Sequence, residues 1–316
     1  MDPIKAHCIG SVFEGLKGPG SVRAMPRQDG TNRTAPPNRP LLSRHSDDGP
    51  PPATTPHHRV GGYHEFAPPP DLADAVEALW THEAAGVLVA VHRVVPDAAV
   101  SLCFMGPRAP DGASGDARLR VIGPVTAPYL FTPPIGHRME AVRLKVEWCR
   151  PLLGVAPWEH ANAEPLYADV RPDLVEPLEA RLMASRASAD TLRLLVAFLR
   201  ERLARHEVAC GLLLSSMESL RRGAGATRVS ELARRLGVSE RHLRRLMVDE
   251  TGIAPRHFSR IQRFHALLRA SDLAPRPSWA ALAADYGYAD QSHLIREVRH
   301  LAGVSPTRLH KERGAE

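Results

Sequence analysis

ELARRLGVSERHLRRLMVDETGIAPRHF (231–258) and LAADYGYADQSHLIREVRHLAGVSPTRL (282–309) are two versions of one unit. Leu232-Ala233-x-x-x-Gly237 returns as Leu282-Ala283-x-x-x-Gly287, an offset of 50. Further on the offset becomes 51: Leu243 answers to Leu294, Arg245 to Arg296, Met247 to Val298, and Gly252-Ile253-Ala254-Pro255 to Gly303-Val304-Ser305-Pro306. The second copy therefore carries one extra residue just after its glycine. A supersecondary unit has been duplicated, with a different turn length in each copy.

Each copy reads as helix–turn–helix. In the first, Val229, Leu232, Ala233 and Leu236 form an apolar face. Gly237 stops that helix, glycine being suited to the left-handed conformation such a stop often needs. Ser239 is placed to cap the next helix through its hydroxyl. That helix spans about Glu240–Asp249, with Leu243 and Leu246 inward and Glu240, Arg241, Arg244 and Arg245 outward. In the second copy Trp279, Leu282, Ala283 and Tyr286 make the first helix, Asp290 caps, and Gln291–Arg299 follows with Leu294 and Val298 inward. Gln291, Ser292, His293 and Arg296 are left more exposed.

Between the copies, Phe258, Ile261, Gln262, Phe264, His265 and Leu268 predict one connecting helix, ended by Asp272-Leu273-Ala274-Pro275-Arg276-Pro277. To enter successive major grooves on one face of DNA, the two second helices must stand about 34 Å apart. The charge agrees with such a target. Residues 1–223 hold 25 Lys+Arg against 25 Asp+Glu, whereas residues 224–316 hold 16 against 10, so the whole excess of +6 lies in the last 93 residues. A basic terminal domain on a neutral body points to a polyanion, nucleic acid before membrane.

These two stretches resemble the AraC/XylS family of bacterial transcriptional regulators, YGYADQSHLIREVRHLAGVSP being similar to the family's signature and the resemblance covering about 225–313. It implies a seven-helix domain and double-stranded DNA as partner; a cytoplasmic location is expected from the scattered cysteines, and no enzymatic activity from the lack of a nucleophile–base arrangement, a Gly-rich phosphate loop or a metal set. By motif position it implies Arg241, Arg244 and Arg245 of the first copy, and Gln291, Ser292, His293 and Arg296 of the second, as base-contacting residues. The chemistry suits them: arginine offers a forked donor to guanine O6 and N7, and glutamine pairs with adenine. Arg245 and Arg296 occupy matching repeat positions and are equally open to a phosphate or structural role, and His293 to packing or capping. Arg234, Arg235, Arg256, Arg260 and Arg308 read as phosphate or solvent residues. Leu294, Val298 and Leu309 stand where the family usually shows aromatics, and Trp279 where a smaller aliphatic is common; both departures concern packing.

The rest of the chain gives an α+β multidomain reading. Residues 1–58 hold ten of the 29 prolines and no periodic apolar face, which predicts a disordered tail. His57, His58 and His64 lack partners at metal-ligand spacing, so no metal and no cofactor is expected. Residues 59–165 read as a small β-barrel-like sensor domain. It opens on a short helix at Asp71–Trp80, with apolar residues at 72, 75, 76, 79 and 80, followed by strands Val87–Val95, Ala99–Met105, Leu119–Ile122, Tyr129–Phe131 and Val142–Trp148. VVPDAAVSLCFMG (94–106) loosely resembles sensor regions of a subset of the same regulators, which implies sensing or dimerisation without naming a ligand. His92, His137, Trp80, Trp148 and Trp158 are its candidate pocket residues. Residues 166–223 read as a helical linker whose stripe Leu192, Leu195, Val196, Leu199 and Leu203 either packs on the sensor or pairs with a second copy. The domain boundary then falls at 224, with the two helix-turn-helix units at about 229–249 and 279–299.

A small-molecule effector, a homodimer and an RNA polymerase contact stay open as further partners, and activation is common in the resembled family. No apolar run approaches the length of a membrane span. The four cysteines are far apart and unpaired in pattern, which fits a reducing compartment. The alternative is a cysteine-based alkylation or redox sensor, on Cys103 or Cys149, or a small-molecule enzyme on the N-terminal part, with an appended DNA-binding domain. Both cysteines sit in β-like apolar runs, which favours buried structural thiols.

Overall fold

The structure, a computed structural model, describes residues 62–83, 91–107, 117–133, 135–163, 166–205 and 210–314. The expected tail at 1–58, with His57 and His58, lies outside the described residues.

Seven strands build the first part: β1 (Tyr63–Phe66), β2 (Val76–Glu83), β3 (His92–Val94), β4 (Ala99–Pro107), β5 (Arg118–Ile122), β6 (Tyr129–Phe131) and β7 (His137–Lys145). Five form one antiparallel sheet in the order β1-β2-β7-β4-β5, while β3 and β6 pair separately. This is the sheet-rich half expected from the sequence, but among the described residues the large sheet is open and not closed into a barrel. The register explains the burial. Phe66, Leu79, Val142, Leu102 and Val121 lie in one row across all five strands, and their neighbours on that face make the main core. One residue along each strand, Trp80, Ala141 and Cys103 align on the opposite face, where they form a smaller cluster with Met105 and Met139.

Two sequence expectations need correction here. Asp71–Trp80 is not a helix: a single 3-10 turn, Pro70–Leu72, leads into β2. β2 is a central strand covered on both faces, so Val76, Ala78, Leu79 and Trp80 are all buried and the usual alternation is lost. The last strand begins earlier than expected, at His137, and Val146–Trp148 is already a 3-10 turn. Arg138 and Glu140 had disguised it. Both are enclosed, at 1% and 0% side-chain exposure, on the face that meets the helices. Arg138 donates to Ser185 and Thr191, and Ser188 donates to Glu140.

Helices follow: α1 (Cys149–Leu153), α2 (Tyr167–Val170), α3 (Pro172–Ala184), α4 (Ser188–Arg205) and α5 (Gly211–Arg222). The stripe Leu192, Leu195, Val196 and Leu199 on α4 is buried in the main core and packs against β7, so within this chain it has an intramolecular partner. The remaining helices are α6 (Val229–Arg235), α7 (Glu240–Thr251), α8 (Pro255–Asp272), α9 (Trp279–Asp285), α10 (Gln291–Ala302) and α11 (Pro306–Glu312). α5 packs against α7 and α8, so seven helices, α5 to α11, make up the carboxy-terminal part.

Candidate nucleic-acid interface

The duplication persists down to single hydrogen bonds. Gly237 and Gly287 adopt φ of 68° and 69°. After each glycine the chain doubles back in the same way: Val238 N–H donates to Ala233 O at 3.0 Å, and Tyr288 N–H to Ala283 O at 2.9 Å. Ala233 and Ala283 are buried where a larger side chain would hold the paired helices apart. Ser239 then caps α7, accepting from His242 N–H at 3.1 Å, and Asp290 caps α10, accepting from His293 N–H at 2.6 Å. Between Tyr288 and that cap stands Ala289, the extra residue of the second copy. Both second helices end on left-handed glycines, Gly252 at φ 75° and Gly303 at φ 73°.

The helices bury what the sequence suggested, with one shift. Leu243 and Met247 hold α7 to the core and Leu246 is only half-buried. Leu294 and Val298 do the same for α10, joined by Leu301 and Ala302 as the helix runs beyond its expected end. Trp279 gains a role that a smaller aliphatic could not fill: its indole N–H donates to Thr307 at 3.1 Å, tying α9 to α11.

Arg241, Arg244 and Arg245 all lie on the exposed side of α7, and Gln291, Ser292 and Arg296 on that of α10. None of these four guanidiniums forms an ion pair among the described residues, although arginines elsewhere in the chain are commonly paired. A row of three unpaired cations on α7, and one at the matching position of α10, suits a phosphate- and base-contacting surface. His293 differs from the rest. Its Nδ1 accepts from Ala289 N–H at 3.2 Å and its ring stands edge-on to Tyr288. It stabilises the longer turn of the second copy, and with Nδ1 occupied as acceptor the neutral ring carries its proton on Nε2.

Of the arginines read as phosphate or solvent residues, Arg234, Arg235 and Arg256 are exposed. Arg260 is not free: it grips Glu297 of α10 through two bonds of 2.6 and 3.0 Å. Burial works against the Glu297 carboxylate, but the Arg260 guanidinium more than offsets it and holds the carboxyl below its ordinary range. Arg263, which the sequence reading passed over, lies over the Tyr288 ring and donates to Gly287 O at 3.2 Å. Spacing along α8 offers the only sequence signal for this pair, since Arg260 and Arg263 are one turn apart. Arg308 bonds Glu312 within α11.

The candidate pocket residues do not converge on one place. Trp80 belongs to the small cluster on the outer sheet face, and Trp148 to the main core. His92 meets His82 at 3.3 Å between ring nitrogens. His137 Nδ1 lies 3.4 Å from Ile135 O, and Trp158 lies under Arg150 and against Gly252. Among the described residues no group of three or more His, Cys, Asp or Glu is arranged to hold a metal ion, and no helix is long and apolar enough to cross a membrane. Cys103 and Cys149 are buried; burial pushes the Cys149 thiol up to about 12, and its sulfur approaches Val155 O at 3.3 Å. A thiol held protonated in this way is a poor nucleophile.

Residues 232–312 match the family described as a helix-turn-helix domain, and residues 64–164 match a domain of unknown function, DUF6597. No curated protein matches the chain. Among solved structures it is similar to ToxT from Vibrio cholerae, with 8% identity, a TM-score of 0.39, and coverage of 72% of this chain and 98% of that one. Unsaturated-fatty-acid-bound ToxT from the same organism is similar at 9% identity and a TM-score of 0.38, with coverage of 72% and 96%. With its basic, duplicated unit, the matched stretch 232–312 is a helix-turn-helix DNA-binding domain, and the chain is a DNA-binding transcriptional regulator.

Proposed function

We propose that the protein reads a specific DNA site with α7 and α10 in adjacent major grooves of one face, and that its sheet-rich half makes this reading responsive to a small-molecule effector. The observation that supports two-groove reading is the matched pair of second helices. They share turn, cap position and terminal glycine, and each presents unpaired arginine at the same repeat position, Arg245 and Arg296. Arg241, Arg244 and Arg245 are assigned to one half-site, and Gln291, Ser292 and Arg296 to the other. His293 contributes through Nε2–H alone, its other nitrogen being used in the turn. Each good bidentate contact supplies about 1–3 kcal/mol of discrimination.

Residues 59–165 serve as the sensing part in this reading. The reading domain begins at about 224 in this reading, with α5 packed against its helices α7 and α8. An effector would act only by binding two arrangements of the chain with different affinity. The work is done in the cytoplasm, where the DNA is, and without a catalytic step. Selection of bound duplexes from a random pool, with and without cell extract, tests all of this. The expected product is a site with two half-sites about one helical turn apart and an extract-dependent yield. An even spread of recovered sequences would refute sequence-specific reading.

A further inference from the structure

The two reading units are attached to the sheet-rich half in different ways. The first shares its core with it: Leu232, Ala233, Leu243, Met247, Ile253, Phe258 and Ile261 belong to the same buried cluster as Leu79, Leu102 and Val142 of the sheet. α7 packs on the turns at Val146–Trp148 and Pro157–His160, and Gly252 lies against Trp158. The second unit has a core of its own, built from Phe264, Leu267, Tyr288, Leu294, Val298 and Leu301 with their neighbours. Among the described residues the short segment 93–97 joins it to the sheet-rich half, with Pro128 also close to Gly303. Val95 packs on that core, and His265 donates from Nε2 to Pro96 O at 2.7 Å.

Arg93 is the centre of this attachment. Its Nε and Nη2 donate to the two carboxylate oxygens of Glu312 at 2.7 and 3.3 Å, and its Nη1 donates to Ala302 O at 3.2 Å. Ala302 ends α10, so its carbonyl is one of the four at a helix C-terminus without an intrahelical donor. A cation is also favoured there by the helix dipole. With side-chain exposures of 13% and 31%, Arg93 and Glu312 are partly shielded but still reach solvent. A polar grip of this kind opens far more readily than a shared apolar core. Arg93 also lies one residue from His92, and on a strand neighbouring side chains point to opposite faces. His92 meets His82 of the large sheet while Arg93 holds the end of α10, so β3 links the two.

We infer that Arg93 is a positioning residue for the second reading helix, and that the second helix-turn-helix unit is the adjustable half of the reader while the first is fixed to the body. This rests on the DNA-reading function proposed above, and deepens it: whatever displaces β3 re-aims α10 and leaves α7 in place.

The test uses the full chain with Arg93→Ala and Arg93→Lys. In the free protein, hydrogen exchange should rise on the order of tenfold across α9–α11 in Arg93→Ala, leave α6 and α7 unchanged, and recover in part with lysine. On the selected duplex, hydroxyl-radical footprinting should show the α7 half-site still protected and the α10 half-site weakened, with looser tolerance of half-site spacing. Arg244→Ala and Arg296→Ala identify which half-site is which. Exchange that rises equally in both units, or in neither, overturns the inference, and so does equal loss at both half-sites. If the wild-type chain selects no sequence, the DNA-reading proposal fails, and hydrogen exchange alone still decides whether Arg93 holds the second unit.

Discussion

Arg221→Met should destabilise the whole molecule while leaving the reading helices untouched. Arg221 on α5 donates through Nη2 to both carboxylate oxygens of Glu147, at 2.9 and 3.0 Å, and lies 5.5 Å from the centre of the Phe258 ring on α8. The pair therefore joins the turn after β7 to two helices of the carboxy-terminal part. Glu147 has only 2% side-chain exposure. Methionine keeps the packing volume over Phe258 but strands the carboxylate away from water. Removing one partner of a buried pair costs about 3–5 kcal/mol, whereas an exposed pair costs roughly 0–1 kcal/mol. At about 2–4 °C per kcal/mol, the expected fall in Tm is roughly 6–20 °C. Adding Glu147→Gln should recover much of that loss, because the double variant no longer buries an unpaired charge. Thermal and urea unfolding of the wild type and the two variants, followed by circular dichroism, measure the Tm and the free energy. Since sheet and first reading unit share one core, far-UV and tryptophan signals should fall together. A cost under about 1 kcal/mol, or two separate transitions, would refute the shared-core argument.

Arg244→Ala and Arg296→Ala should each relax base preference at one or two positions of a single half-site, read by repeating the random-duplex selection; a uniform loss of affinity across sequences would assign that arginine to phosphate. Gly252→Ala should cost more than Gly237→Ala in urea unfolding. Both glycines have positive φ, but a Cβ at Gly252 would stand 2.6 Å from Trp158 Cβ, whereas Gly237 faces open space. His265 is held neutral by burial, its pKa pushed down to about 4, partly countered by its bond to Pro96 O. The unfolded chain takes up this proton near 6.5 and the folded chain only near 4, so the stability is complete above pH 6.5 and lost as pH falls toward 4, by at most about 3 kcal/mol. Because burial raises Asp97 to about 6 and gives an opposite slope in the same window, the measurement is the difference between wild type and His265→Gln, which should grow from pH 4 to 6.5 and then level off.

The parts of the site that sequence revealed are those set by near neighbours. A five-residue spacing between Ala233 and Val238 fixes the turn, a serine or aspartate fixes the cap, and the change of offset from 50 to 51 places one extra residue just after Gly287. β2 was misread because helix period and full burial produce the same apolar positions over so short a run. β7 was misjudged because Arg138 and Glu140 look like solvent residues until Ser185, Ser188 and Thr191 are brought up to meet them. The ties that orient the second unit were invisible for a different reason. Arg260 and Glu297 are 37 residues apart and Arg93 and Glu312 are 219 apart, and no local pattern distinguishes a paired arginine from a free one. Cationic character alone puts Arg260 among the phosphate or solvent residues.

The connector explains why such ties are needed. α8 has 18 residues and so runs about 27 Å, less than the 34–36 Å between successive grooves on one face. Its length cannot set the reading distance alone; the remainder comes from how far each second helix is offset from its ends. Phe258 and Ile261 near its start lie in the core shared with the sheet, and Phe264, Leu267 and Leu268 lie in the second core. The helix thus acts as a beam with one end fixed in the body and the second unit carried on the other. An apolar contact such as Leu294 against that beam resists separation but only weakly resists rotation, because dispersion contacts are many and individually small. Direction is supplied by the polar ties, Arg260 to Glu297 along the beam and Arg263 to Gly287 at the turn, with Arg93 reaching the far end of α10 from outside it. Only the last of these originates in the sheet-rich half, and this makes it the route by which an event on the sheet could alter what α10 reads.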